Sequence, residues 1–237
     1  MAKLLKLDTE IETLMDLKQF IQQDAELRFL RSEVEHSLLD DPGHDIHHAM
    51  RVALWTIRLN PGGSVKNAVS AALLHDIVNI EKNDPRRDQA SSLSAERARN
   101  LLSSFKEAYS DSDIDDICGA IRDHSFSRGA QPTTDLGKAL QDADRLEALG
   151  VLGAFRNISC GVRMGASFFD PEDPWATKRP LNDKKFSIDH YKCKLLKLQG
   201  MMNTEQGKVE GKRRTETLLG LLTELGEEIG YPYPEIA

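Results

Sequence analysis

The chain has 237 residues, enough for one large domain or two small ones, and its 40% hydrophobic and 29% charged residues are typical of a globular protein. The formal net charge of -7 argues against a general binder of nucleic acids or anionic membranes, because such proteins need a basic face. Three dispersed cysteines without a CxxC pair, and no apolar run of roughly 20 residues, predict a cytoplasmic protein with reduced thiols and no membrane span.

Apolar residues at three- and four-residue steps predict helices along most of the chain. The first stripe covers residues 8–39, as one bent helix or two, and the segment DPG at 41–43 ends it. Asp45 and Ser64 are the predicted N-caps of the next two helices. The further helices are predicted at 46–59, 65–78, 92–106, 111–124, 135–148, 150–161, 187–198 and 204–228.

Three segments interrupt this helical pattern. Residues 79–90 are polar and contain Pro85, so they form a predicted loop, and residues 163–186 form a predicted long ordered excursion. The tail at 229–237 contains YPYP, which cannot be helical. Strand-type alternation is nearly absent and no low-complexity linker divides the chain, which predicts one all-α domain over 1–237.

Three helices carry side chains suited to binding a metal ion. His75-Asp76 follows the apolar run AALL, and imidazole with carboxylate suits Mn, Mg, Co, Ni, Fe or Zn. For an isolated pair, a core histidine beside a capping aspartate is the simpler interpretation. Upstream, His48 lies on its own amphipathic helix. Downstream, Asp144 lies beside an apolar face, where a carboxylate needs a partner or an ion, and Asp142 is the competing carboxylate.

Together these segments resemble the HD-domain metal-dependent phosphohydrolases, whose pattern is one His, a distant His-Asp pair and a distant Asp. The resemblance runs from about residue 20 to about residue 226. It implies a compact multi-helix bundle in which one divalent ion is bound by His48, His75, Asp76 and Asp144. Two further segments, AIRDHSFS at 120–127 and RPLNDKKFSIDHYKCKLLKL at 179–198, are similar to one bacterial branch of that family.

The family chemistry implies hydrolysis by water that the ion activates. Related nucleotidases use a Glu three residues beyond the HD aspartate as the general acid or base. This chain has Asn79 at that position, so the role cannot be carried over, and Glu81 or Asp84 is the candidate substitute. His124 is predicted as a fifth ligand, a proton donor or a phosphate contact, with a capping or core histidine as the alternative. The candidate catalytic residues are Asp76, Arg51, His124, Glu81 and Asp84.

Cationic side chains are the candidates for contacts to a polyanionic substrate. Arg51 shares a helix face with His48, and a supporting salt bridge is the alternative role for its guanidinium. An ordinary charged surface is the alternative for the cations near the second family segment. The predicted substrate-binding residues are Arg51, Lys82, Arg179, Lys184, Lys185 and His190.

The predicted function is hydrolysis of a phosphate ester or anhydride of a small metabolite, in particular a nucleotide. Pyrophosphate release from a nucleoside triphosphate and phosphatase activity remain open within that class. One alternative is a non-catalytic HD module that senses metal or nucleotide, and another is a structural helical protein with accidental motifs. The predicted partner is the small phosphorylated substrate, and the chain is predicted to be a monomer or a homodimer.

Overall fold

All regular secondary structure in the described part of the chain is helical, as predicted from the apolar periodicity. The computed structural model describes residues 11–37, 45–78, 80, 84, 86–125 and 128–234. Within these residues, extended pairing is limited to an isolated bridge between Ser167 and Phe186. None of the helices in this part of the chain has the length and apolar character that crossing a membrane requires.

Ten α-helices lie within the described residues, and short 3₁₀ segments cover Arg87–Gln89 and Leu195–Met201. The predicted N-caps are confirmed, because Asp45 and Ser64 each accept a backbone hydrogen bond from the third residue that follows. The helices are α1 (Leu14–Gln23), α2 (Ala25–Ser37), α3 (Ile46–Leu59), α4 (Val65–Leu74), α5 (Ala90–Leu102), α6 (Asp111–Asp123), α7 (Asp135–Leu146), α8 (Gly150–Arg163), α9 (Asp189–Cys193) and α10 (Glu205–Ile229).

The first predicted stripe is two helices that break at Asp24. The backbone N–H of Asp24 donates to Ile21 O at the end of α1, at 3.2 Å. Its side chain accepts from Leu27 N–H at 2.9 Å, so the same residue begins α2. The predicted ends of this stripe, at 8–10 and 38–39, lie outside the described residues, as does the DPG segment.

Several predicted helices end earlier in the structure: those predicted at 92–106 and 135–148 end at Leu102 and Leu146, and two others differ more in form. α4 ends at Leu74 and not at residue 78, so His75 and Asp76 lie in the turn that follows it. The helix predicted at 187–198 is α9 followed by a 3₁₀ segment. It breaks because the backbone of Lys194 (φ -135°, ψ -58°) leaves the helical region.

The chain forms two compact units that divide between Leu140 and Gln141, within α7. The assignment of residues 1–237 to one domain stays a prediction.

In the N-terminal unit, α4 contacts α2, α3 and α6, and its residues Ala68–Leu74 are all buried. The buried Tyr109 hydroxyl hydrogen-bonds Ser70 Oγ at 2.8 Å, and burial raises the pKa of Tyr109 to about 12. The turn that carries His75 and Asp76, called the HD turn below, therefore begins at the buried end of α4.

The C-terminal unit joins α7 to α10 through one buried carboxylate. Asp142 accepts hydrogen bonds from the backbone N–H groups of Asn203 (2.9 Å) and Thr204 (2.7 Å) and from both of their side chains. Thr204 is the N-cap of α10 and accepts from Gly207 N–H at 3.0 Å. This cluster of four donors around one side chain fixes where α10 begins.

Gly207 gives a test of that junction. A Cβ at this position would lie 2.5 Å from Asp142 Oδ2 and 2.6 Å from Thr204 Oγ1, closer than van der Waals contact. We expect Gly207→Ala to lower the free energy of unfolding by about 1–3 kcal/mol, measured by urea denaturation. Gly220→Ala on the same helix is the control: its Cβ meets no described atom within 4 Å, so stability should rise by up to about 1 kcal/mol. Equal effects of the two substitutions would contradict this packing.

The predicted excursion is held by internal hydrogen bonds. The side chain of Asp173 accepts from the backbone N–H groups of Lys178, Thr177 and Arg179, and these bonds lower the pKa of Asp173 to about 2. At its far end, Arg179 forms a two-pronged ion pair with the buried Asp189, at 2.6 and 2.9 Å. The excursion thus has an ordered backbone although it contains no long helix.

Candidate metal centre

Three predicted ligands lie together in the N-terminal unit. His48 is in the first turn of α3, where Asp45 accepts its backbone N–H at 2.8 Å, and its side chain is buried. His75 and Asp76 occupy the turn after α4, the first fully buried and the second half-buried. One ligand atom from each of the three residues lies within 4.8 Å of the others.

The ring of His75 presents Nε2 to this cluster. His75 Nδ1 lies 2.7 Å from the carbonyl oxygen of Ala72. Because a carbonyl only accepts hydrogen bonds, Nδ1 carries the hydrogen, and in the neutral ring Nε2 is an unprotonated donor for a metal. That Nε2 lies 3.3 Å from His48 Nε2 and 3.5 Å from Asp76 Oδ2.

His124 adds a fourth side chain to the cluster. It follows the last residue of α6, is buried, and places Nδ1 2.6 Å from Ile121 O. Its Nε2 lies 3.5 Å from Asp76 Oδ1, and its ring meets the His75 ring edge-on at 4.9 Å between centroids. The Asp76 carboxylate therefore lies between the Nε2 atoms of two histidines that backbone carbonyls orient in the same way.

These distances fit a divalent ion. Metal–nitrogen and metal–oxygen bonds of about 2.0–2.2 Å place neighbouring ligand atoms roughly 3.0–3.5 Å apart. The separations of 3.3 Å between His75 and His48 and of 3.5 Å between His75 and Asp76 fall in that range, and the three ligand atoms all lie within 4.8 Å of one another. Imidazole and carboxylate are also the mixed donor set that suits Mn, Fe, Co, Ni or Zn. The three residues can therefore bind one such ion without a large rearrangement.

Asp144 lies in the C-terminal unit, and its assignment as a ligand stays a prediction. It is half-buried near the end of α7, whereas Asp142, Arg145 and Glu147 on either side of it are buried. Asp142 holds the start of α10, Arg145 donates to Met201 O, and Glu147 pairs with Arg156. Residue types and helix periodicity did not reveal these partners, because most of them are more than fifty residues away.

The predicted substrate contacts have different surroundings. Arg51 is half-buried on α3, one turn after His48. In the C-terminal unit, Lys184 and Lys185 are exposed, and His190 Nδ1 lies 2.9 Å from Asp183 Oδ2. Glu81, Lys82 and Asn79 lie outside the described residues. The roles assigned to Arg51, Glu81, Lys82, Lys184, Lys185 and His190 stay predictions.

Two further predicted site residues, Asp84 and Arg179, have ionic partners in the structure. Hydrogen bonds from the Arg86 side chain and backbone lower the pKa of Asp84 to about 2, far from the value that a general acid or base needs near neutral pH. The Arg179 guanidinium is held by Asp189 and also donates to Asp173 O at 3.2 Å. In the structure Asp84 pairs with Arg86 and Arg179 pairs with Asp189, and the roles assigned to Asp84 and Arg179 stay predictions.

The part of the chain that contains this cluster is similar to a known protein family. Residues 45–149 match the family model described as HD domain, a span that includes all four predicted ligands. The protein YpgQ of Bacillus subtilis is 28% identical over an alignment of 207 residues that covers 84% of this chain and 92% of YpgQ.

Solved structures resemble the chain over most of its length. The structure of Bacillus subtilis YpgQ in complex with ADP is 25% identical with a TM-score of 0.66, covering 85% of this chain and 97% of that one. A Bacillus thuringiensis protein described as an HD-superfamily hydrolase is also 25% identical with a TM-score of 0.66, covering 90% of this chain and 98% of that one.

Proposed function

We propose that this chain, whose residues 45–149 match the HD-domain family model, is a divalent-metal-dependent phosphohydrolase. Its proposed substrate is a small phosphorylated metabolite, and within that class a nucleotide. The observation that carries the proposal is the convergence of ligand atoms from His48, His75 and Asp76 within 4.8 Å. A nucleotide is favoured because the similar protein YpgQ was crystallised with ADP.

The proposed ligands of the ion are His48, His75, Asp76 and, from the C-terminal unit, Asp144. When bound, a divalent ion lowers the pKa of a water molecule and polarises a phosphoryl oxygen. The backbone carbonyl of Ala72 holds the His75 ring so that Nε2 stays available to a ligand. Four protein ligands would leave about two positions of an octahedral shell for water and substrate.

Other side chains would orient the substrate and move charge. His124, held at Nδ1 by Ile121 O, presents Nε2 to Asp76 and is the proposed group that orients this carboxylate or contacts the phosphate. Arg51, one turn from His48, is the proposed cation that stabilises negative charge on the phosphoryl group. The exposed Lys184 and Lys185 and the half-buried His190 are proposed contacts for the rest of a polyphosphate.

A hydrolysis panel tests this proposal. The protein is stripped with a chelator, reloaded with Mn²⁺ or Mg²⁺, and incubated with nucleoside mono-, di- and triphosphates while phosphate and pyrophosphate are measured separately. We expect turnover only with added metal, and the released product identifies the bond that is cleaved. Tight nucleotide binding without turnover under every metal would instead support the sensor alternative. Failure to bind any divalent ion would overturn both.

A further inference from the structure

A buried serine on α5 contacts the turn that carries the HD pair. We infer that Ser94 is a positioning residue of the metal centre, because it fixes the backbone two residues after Asp76. This inference rests on the proposed function, since it concerns the geometry of the same ion site. Ser94 has no chemical step of its own in this proposal, because both hydrogen bonds to the turn join its hydroxyl to backbone groups.

The contact uses both backbone groups of one residue. The backbone N–H of Val78 donates to Ser94 Oγ at 3.1 Å, and Ser94 Oγ lies 3.4 Å from Val78 O, to which its hydroxyl hydrogen can donate. Ser94 is fully buried, so water does not replace either interaction in the folded state. A single hydroxyl thus serves as both acceptor and donor for Val78.

This contact completes the support of the HD turn. On one side, Ile77 N–H donates to Leu74 O at 3.2 Å and ties the turn back to the end of α4. On the other side, Ser94 holds the next residue, Val78, from a different helix. Asp76 lies between the helix end and this contact, so the position of its carboxylate depends on both.

The affinity of a protein for its metal ion depends strongly on the residues that hold the metal ligands in place. Groups that orient metal ligands without touching the ion typically change metal affinity about 10- to 100-fold when they are removed. Loss of the Ser94 hydroxyl would leave the half-buried Val78 N–H without its partner, and the turn would shift toward another acceptor. His75 is held separately by Ala72 O, so the main effect should fall on Asp76.

The same helix offers a matched control. Ser91 lies one turn before Ser94 on α5, is 3% exposed, and its hydroxyl has no hydrogen-bond partner among the described residues. Ser91→Ala and Ser94→Ala therefore remove the same buried group from the same helix. They differ in whether that group contacts the HD turn, so any change in stability that comes only from burial should appear in both.

The experiment measures the dissociation constant of Mn²⁺ by isothermal titration calorimetry on chelator-stripped full-length protein. We expect Ser94→Ala to raise it about 10- to 100-fold and Ser91→Ala to leave it within about twofold of wild type. Ser94→Cys, which keeps a side chain of similar size with weaker hydrogen bonds, should fall between them and serves if Ser94→Ala does not fold.

The outcomes separate this inference from the proposed function. Wild-type affinity for Mn²⁺ in Ser94→Ala or Ser94→Cys, or an equal loss in Ser91→Ala, would overturn the positioning role and leave the hydrolase proposal intact. A wild-type protein that binds Mn²⁺ but hydrolyses no nucleotide would overturn the proposed nucleotide hydrolysis. The Mn²⁺ titrations of the Ser94 and Ser91 variants would still decide whether Ser94 positions the metal centre. A wild-type protein that binds no Mn²⁺ would overturn both.

Discussion

Asp76→Asn is expected to lower kcat by at least about 1000-fold, which corresponds to roughly 4 kcal/mol of activation free energy. The carboxylate is the negatively charged member of the described cluster, and its two oxygens lie 3.5 Å from His75 Nε2 and His124 Nε2. An amide of the same shape removes that charge and replaces one acceptor with a donor that would point at an imidazole lone pair or at the ion.

Thermal unfolding gives a second measurement on the same variant. A ligand that binds only the folded state at 100 times its dissociation constant stabilises that state by about 2.7 kcal/mol, so Mn²⁺ should raise the Tm of the wild-type protein. In Asp76→Asn this rise should disappear. The variant should still fold without metal, because Asp76 is half-buried and belongs to a turn and not to a helix.

Asp115→Asn is the control for the loss of a negative charge. This carboxylate lies on α6, the helix that His124 follows, but it is 69% exposed and pairs with Arg99 at 2.7 Å. We expect wild-type turnover and a wild-type response of Tm to Mn²⁺. If Asp76→Asn kept its turnover and its metal content, or if Asp115→Asn lost as much, the assignment of the metal centre would be wrong.

Asp142→Asn and Asp144→Asn are expected to have opposite phenotypes although the two carboxylates are two residues apart. Asp142 is fully buried and accepts hydrogen bonds from four donors on Asn203 and Thr204, so an amide would place its own N–H groups against N–H and O–H donors. We expect the free energy of unfolding to fall by about 2–4 kcal/mol, with Mn²⁺ affinity of the folded protein unchanged.

For Asp144→Asn the expectation is reversed. Its side chain is half-buried, so the free energy of unfolding without metal should change by less than about 1 kcal/mol. Mn²⁺ binding and turnover should both be lost, because the proposal makes Asp144 the fourth ligand. Urea denaturation in the presence of a chelator and calorimetric titration with Mn²⁺ measure the two properties independently.

This pair of variants also tests the alternative ligand. If Asp142→Asn lost Mn²⁺ binding at unchanged stability while Asp144→Asn behaved as wild type, the assignment would move to Asp142. That result would conflict with the hydrogen bonds that occupy both Asp142 oxygens, Oδ1 with Asn203 and Oδ2 with Thr204. The comparison is sharp because both substitutions remove the same charge from the same helix.

The local sequence was sufficient to predict those structural features that depend only on neighbouring residues. The helical class, the break after Leu59 at a Pro-Gly-Gly segment, and the caps at Asp45 and Ser64 all follow from contacts within about four residues. The same local view placed the HD pair inside a helix that extends to residue 78. It could not show that α4 ends at Leu74, because the bond that holds the next turn comes from Ser94 on another helix.

The family pattern in the sequence identified the types and order of the ligand residues, and the tertiary structure decided which side chains meet. His48 and His75 are 27 positions apart, and only the packing of α3 on α4 brings their Nε2 atoms to 3.3 Å. Asp142 differs from Asp144 through partners 61 and 62 positions away. Periodicity carries information over a few residues, whereas the partner that a buried charge meets is set by chain segments far apart in sequence.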